Sequence, residues 1–217
     1  MQKVFVEKGQ VNFETNEIEI QGEAYNHIKN VLRFRVNDSL KIGIKDSQKT
    51  YLATLQKIDS DKLICHLEKV YEESTESPLQ IDLYQGLPKG DKMESIIQKC
   101  TELGIHHIIP VEMKRCVVKL NRKDAEKKKL RWNKIAEAAA MQSQRDQIPE
   151  VENKINGKEL ETKIKNYDMV FVAYEGEKTQ YLKPLIQQRQ MQKIAIVVGP
   201  EGGLEETEVD CLKQARC

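Results

Sequence analysis

Over the first 70 residues, apolar positions come in short runs or in alternation with polar ones. Val4-Phe5-Val6 and Glu17-Ile18-Glu19-Ile20 are short strand candidates, and Leu40-Lys41-Ile42-Gly43-Ile44 alternates apolar with small or polar residues. Residues 50–58 and 63–70 flank Asp59-Ser60-Asp61-Lys62, which reads as a hairpin turn. Between these strands a short helix fits residues 23–32, with Ala24, Ile28, Val31 and Leu32 on one side. Several short strands with little helix predict a compact β-barrel.

Residues 71–78, Tyr-Glu-Glu-Ser-Thr-Glu-Ser-Pro, are polar, acidic and closed by proline, which marks a linker. The period then lengthens. A strand over 79–85 runs into the tight loop Gly86-Leu87-Pro88-Lys89-Gly90, after which Asp91 and Glu94 have the spacing of a capping box. Met93, Ile96, Ile97, Cys100 and Leu103 recur at helical spacing, and Gly104 suits the C′ position. Further strands are expected at 105–111, 169–173 and 194–198, with helices at about 124–144 and 181–190. The longer helix would bury Trp132, Ile135, Ala136, Ala139 and Ala140. Strands alternating with helices predict a parallel sheet covered on both faces, with ligands beyond its carboxyl ends. Loops 86–90, 174–177 and 199–203 should therefore converge.

The last of these loops carries the most specific signal. The apolar run 194–198 opens directly into Gly199-Pro200-Glu201-Gly202-Gly203. Glycines let backbone N–H groups approach a ligand closely, although such a turn can also be purely structural. No Gly-x-x-x-x-Gly-Lys-Ser/Thr or Gly-x-Gly-x-x-Gly pattern is present, which argues against nucleoside triphosphates and dinucleotides.

Composition narrows the class. No apolar run approaches the roughly 18 to 20 residues of a membrane span, and the amino terminus lacks a signal-peptide core, so the cytoplasm is the expected location. Five scattered cysteines form no metal-ligand spacing and read as free thiols. His106-His107 is not expected to bind a metal, because neighbouring residues on a strand point to opposite faces and no third ligand is near in sequence. Net charge is only +1, but residues 114–134 hold ten basic and two acidic side chains. That excess could neutralise phosphates or simply form a solvated helix face.

Four segments in order resemble one family. They are Gly86-Leu87-Pro88-Lys89-Gly90-Asp91-Lys92-Met93-Glu94, Gln98-Lys99-Cys100-Thr101-Glu102-Leu103-Gly104-Ile105, the helix from Arg131-Trp132 through Gln142-Ser143-x-Arg145, and Val198-Gly199-Pro200-Glu201-Gly202-Gly203. The family is the RsmE-type methyltransferases, which transfer a methyl group from S-adenosylmethionine to N3 of a uridine in 16S ribosomal RNA of the small subunit. Asn26-His27-Ile28-x-x-Val31-Leu32-Arg33 with Val36-Asn37-Asp38 resembles the PUA-like RNA-binding domain of the same family.

The resemblance implies a PUA-like barrel over residues 1–72 and an α/β SPOUT methyltransferase domain over 73–217, with a trefoil knot and a homodimeric state. It implies cofactor contacts from Ala173, Tyr174 and Glu175 and from Gly199, Pro200, Glu201, Gly202 and Gly203. Arg33, Arg35, Lys89, Lys114, Arg115, Gln142 and Arg145 are the candidates for contact with RNA, and no residue is singled out as catalytic. Relatives continue into a Leu-Gly-x-Arg-Ile-Leu-Arg-x-Glu-Thr-Ala segment that closes the knot. That segment is not in this sequence, so the 217-residue form is expected to transfer little methyl. A non-catalytic RNA-binding or ribosome-assembly protein is the alternative reading.

Overall fold

Strict alternation at Glu17-Ile18-Glu19-Ile20-Gln21 becomes a strand whose two isoleucines are fully buried while its polar residues face water. The same logic builds the whole first part of the chain. The computed structural model describes residues 1–45, 47, 49–178, 182–187 and 191–216. It divides into two compact units, Met1–Glu76 with Glu137–Ile148, and Ser77–Ala136 with Pro149–Cys217.

The first unit contains β1 (Lys3–Val6), β2 (Val11–Asn12), β3 (Glu17–Gln21), α1 (Gly22–Asn26) followed by a π-type turn at His27–Val31, β4 (Ser39–Ile44), β5 (Lys49–Ile58) and β6 (Lys62–Val70). The strands form a curled sheet in the order β1-β4-β5-β6-β3-β2, antiparallel except for β1 against β4. Among the described residues nothing pairs β1 with β2, so the sheet keeps two edges where the sequence suggested a closed barrel. Its core is aliphatic, from Ile18, Ile20, Ile28, Leu40, Ile42, Leu55 and Leu63.

Residues 71–78 are tied down rather than loose. The Glu76 carboxylate accepts from the backbone N–H groups of Asp146 (2.8 Å) and Gln147 (3.2 Å) and from the Arg145 guanidinium (2.5 Å). Asp146 in turn accepts from Lys3 (2.9 Å), Thr50 (2.6 Å) and the Thr75 N–H (2.7 Å). Burial alone would raise the Asp146 carboxyl, but these donors outweigh it and hold it at about 2.

The second unit contains β7 (Gln80–Gly86), α2 (Lys92–Glu102), β8 (His107–Glu112), α3 (Arg122–Gln142), β9 (Glu150–Val151), β10 (Ile155–Asn156), α4 (Gly157–Lys163), β11 (Met169–Ala173), α5 (Leu182–Gln187), β12 (Lys193–Val198) and α6 (Glu206–Arg216). The last turn and a half of α3 belongs to the first unit. The sheet is parallel in the order β10-β8-β7-β12-β11, with β9 also on β8. Of the helix expected at 181–190, positions 181 and 188–190 lie outside the described residues.

Local capping agrees only in part with the sequence pattern. Gly104 does terminate α2 in the left-handed region at φ 93°, with N–H bonds from Gly104 to Thr101 and from Ile105 to Cys100 closing a Schellman motif. Asp91 occupies the N-cap position, yet its side chain makes no capping bond. The Glu94 carboxylate instead meets Arg131 at 2.9 Å. Leu103, expected on the buried stripe, is 86% exposed, because it lies in the turn after the helix has ended.

Candidate active site

Parallel strands in register deliver their loops to one edge. Gln85 of β7 and Ala173 of β11 both pair with Val198 of β12, and Gly86 pairs with Val111 of β8. The loops after all four strands therefore begin flush with one another. That edge is where an open parallel sheet binds ligands.

The glycine loop is packed too closely to tolerate side chains. A Cβ on Gly86 would lie 2.6 Å from Pro200 N and 2.9 Å from Gly199 C, so loop 199–203 rests directly on the end of β7. Gly203 has φ 70°, and a Cβ there would lie 2.0 Å from Glu175 Oε1. Glu175, an exposed residue just past β11, thus lies over the turn with its carboxylate against backbone. Gly203 N–H closes the turn onto Pro200 O at 2.9 Å.

Glu201 clasps two loops together. Its carboxylate accepts from the Lys89 N–H at 3.0 Å and from Lys92 Nζ at 2.8 Å. The Lys92 ammonium above all, with the backbone donors, holds its carboxyl at about 2. A carboxylate so stabilised is a poor proton acceptor near neutrality, and its geometry is that of a latch.

The turn after β8 is fixed from below by buried Cys116, whose sulfur accepts the Met113 N–H at 3.3 Å. From this turn Arg115 donates to Gly202 O at 3.0 Å. Lys114 reaches Thr207 (2.7 Å) and Glu205 (3.2 Å), while its N–H donates to Glu208 at 3.0 Å. Both cations therefore brace the glycine loop and the start of α6, with about half of each side chain left exposed.

The remaining candidates are dispersed. Ala173 is exposed and Tyr174 half-buried at the end of β11, beside loop 199–203. In the first unit Arg33 and Arg35 are exposed on the loop after the π-type turn, where the Arg35 N–H donates to Asp38 at 2.7 Å. Arg33 takes φ 55°, a left-handed conformation unfavourable for a long side chain. Gln142 is exposed at the end of α3. Arg145, expected to meet phosphate, is instead 4% exposed and bound to Glu76, since the end of α3 turns inward onto residues 74–76.

Sequence reasoning missed a polar cluster at the opposite, amino edge of the same sheet. Buried Asp82 of β7 stands 3.2 Å from both His106 Nδ1 and His107 Nδ1, and accepts from Tyr167 at 2.6 Å. The expectation that the two histidines diverge fails because His106 precedes β8, so pleat alternation does not govern it. Burial alone would raise Asp82, but the hydrogen bonds from His107, Tyr167 and His106 hold it at about 2.

A curled antiparallel sheet followed by a parallel α/β sheet with a glycine loop at its carboxyl edge defines a two-unit α/β protein with a candidate ligand edge. Residues 75–217 match the RNA methyltransferase domain family, and residues 20–68 match the RNA methyltransferase PUA domain. The chain is 38% identical over 221 residues to ribosomal RNA small subunit methyltransferase E of Bacillus subtilis, covering 99% of this chain and 86% of that protein. It is similar to the crystal structure of a ribosomal RNA small subunit methyltransferase E from Neisseria gonorrhoeae bound to S-adenosylmethionine. There the TM-score is 0.84 and identity 27%, over 99% of this chain and 86% of the other. A putative methyltransferase from Legionella pneumophila, solved with bound S-adenosylmethionine, gives 0.85 and 25% over 98% and 85%. The chain belongs to the family of ribosomal RNA small subunit methyltransferase E, a SPOUT methyltransferase family.

Proposed function

We propose that this chain methylates N3 of a uridine in 16S ribosomal RNA with S-adenosylmethionine as donor. The observation that carries the reading is the glycine loop at the carboxyl edge of the parallel sheet, where Gly86 and Gly199 leave backbone in contact with backbone and Gly203 lies under the Glu175 carboxylate. It is made of the family's own motif residues.

Ala173, Tyr174 and Glu175 with Gly199, Pro200, Glu201, Gly202 and Gly203 would hold the cofactor. Two features support this set: β11 and β12 pair in register, so that both loops leave the sheet at one edge, and the left-handed turn at Gly203, φ 70°, leaves backbone bare there. When bound, the sulfonium supplies an already activated methyl group. What remains for the chain is to align the uridine and to deal with its N3 proton. Glu175, lying over Gly203, is the carboxylate placed to hydrogen-bond the ligand, whereas Glu201 keeps loops 86–90 and 199–203 together. Arg115, whose guanidinium donates to Gly202 O, and Lys89, on the loop after β7, are the cations this reading assigns to favouring the uridine anion as it forms.

Arg33, Arg35, Lys114 and Gln142 extend the proposal to RNA contact. Their exposure supports it. A homodimer, a SPOUT sheet domain whose trefoil knot is closed by the segment relatives carry beyond these residues, a boundary between residues 72 and 73 and a cytoplasmic location complete this reading, all on the strength of the family resemblance.

The test uses the product of the whole gene with tritiated S-adenosylmethionine and small ribosomal subunits from a strain lacking the modification. The proposal expects label in N3-methyluridine after nuclease digestion. Label in another nucleoside would overturn the assignment, and RNA binding without label would favour the non-catalytic alternative.

A further inference from the structure

The second polar cluster lies at the edge of the sheet away from the cradle. Asp82, His106 and His107 bring three donor atoms within 4.8 Å of one another. The two oxygen-to-nitrogen separations are both 3.2 Å. Tetrahedral zinc with bonds of about 2.0–2.2 Å has ligand atoms roughly 3.3–3.6 Å apart, so both oxygen-to-nitrogen separations come within about 0.4 Å of a coordination edge.

The environment sorts the two carboxylate oxygens. Oδ2 is occupied by the Tyr167 hydroxyl at 2.6 Å, which is itself bonded to the Tyr84 hydroxyl at 2.9 Å, and Lys193 approaches the same oxygen at 3.7 Å. Oδ1 is left to the two imidazoles. An outer hydrogen bond to one oxygen that orients the other is the usual support of a ligating carboxylate. Tyr84 and Tyr167 are buried and pack edge to face, so Asp82 is held rigidly. The imidazoles are partly open, at 20% and 32% side-chain exposure, which leaves a side for water. Glu150, the neighbour of His107 in the ladder, adds negative charge. Two imidazoles and a carboxylate suit zinc and its first-row neighbours better than magnesium or calcium.

We propose that Asp82, His106 and His107 form a binding site for one divalent cation of the zinc class, clamping the starts of β7 and β8. The ion completes its shell with water and does not touch the methyl-transfer edge.

The test is titration of the tag-free, chelator-treated protein with zinc(II), together with the visible spectrum of cobalt(II) as a direct report of coordination. The expected result is one zinc per chain, with at least ten-fold weaker binding and loss of the cobalt band in both His106→Gln and His107→Gln. These partly exposed positions can be changed with Asp82 left in place, and circular dichroism confirms folding. S-adenosylmethionine affinity should be unchanged in both variants. Absence of saturable binding, or binding and a cobalt band indifferent to the two substitutions, would overturn the site and leave Asp82 as a carboxylate shared by two imidazoles.

Discussion

Substitution of Gly86 by alanine probes the cradle with a single methyl group. Its φ is not positive, so the backbone itself accepts alanine and any effect must come from what the Cβ meets. The Cβ would stand 2.6 Å from Pro200 N, 2.7 Å from Pro200 Cδ and 2.9 Å from Gly199 C, where ordinary contact begins at 3.4 Å. Relief requires loop 199–203 to withdraw by about 0.8 Å, the shortfall at the closest atom. Overpacking of this kind costs roughly 1–3 kcal/mol of stability. A displacement near 1 Å of a positioning loop costs about a hundred-fold in function. Calorimetric titration with S-adenosylmethionine and urea unfolding measure the two effects separately. The matched control is Gly157→Ala, which meets nothing within 4 Å and has no positive φ. It should leave both readouts unchanged. Cofactor affinity in Gly86→Ala within about two-fold of the parent would refute the argument that contact between β7 and the loop shapes the site.

Other expectations follow from the same structure. Asp146→Asn should lower stability by about 3–5 kcal/mol, since it leaves the buried Lys3 ammonium without its carboxylate, and a Lys3→Met/Asp146→Leu pair should lose less; denaturant midpoints decide. Arg33→Gly relieves a left-handed arginine, worth roughly 1–2 kcal/mol less the roughly 0.4–1 kcal/mol of unfolded-chain entropy that glycine adds, so stability should rise by up to about 1 kcal/mol while RNA binding weakens and its salt dependence flattens; unaltered RNA binding would remove Arg33 from the interface. The Glu201 carboxyl is held at about 2. As a depressed group it stabilises the fold above its unfolded value of about 4.3 and ceases to as pH falls toward 2, so the advantage of the parent over Glu201→Gln in urea should persist down to about pH 4. An advantage lost between neutrality and about pH 5 would contradict the latch.

Much of this architecture can be read from periodicity, since β3, β4, β7, β8 and β12 bury most of the residues their patterns mark, whereas β11, at the sheet edge, buries only Val170. The glycine loop was legible for a related reason, because a buried strand ending in glycines has few alternatives. What escaped notice depends on pairings between distant positions. Glu201 meets Lys92 across 109 residues, Lys114 meets Thr207 across 93, and Lys3 meets Asp146 across 143. No local pattern encodes those partners. Arg145 shows the cost: at a helix end it resembles a phosphate ligand, and only the folded path of residues 74–76 reveals Glu76 as its partner. His106 and His107 escape the alternation rule because β8 begins only at His107, which leaves His106 outside the pleat.

The central claim is that the carboxyl edge of the parallel sheet serves uridine methylation. Its most direct test is mass spectrometry of small-subunit RNA after incubation with the whole gene product and isotopically labelled S-adenosylmethionine. The account predicts one labelled N3-methyluridine, abolished or strongly reduced by Gly86→Ala and retained by Gly157→Ala. Labelled methyl in a different nucleoside, or full activity in Gly86→Ala, would contradict it.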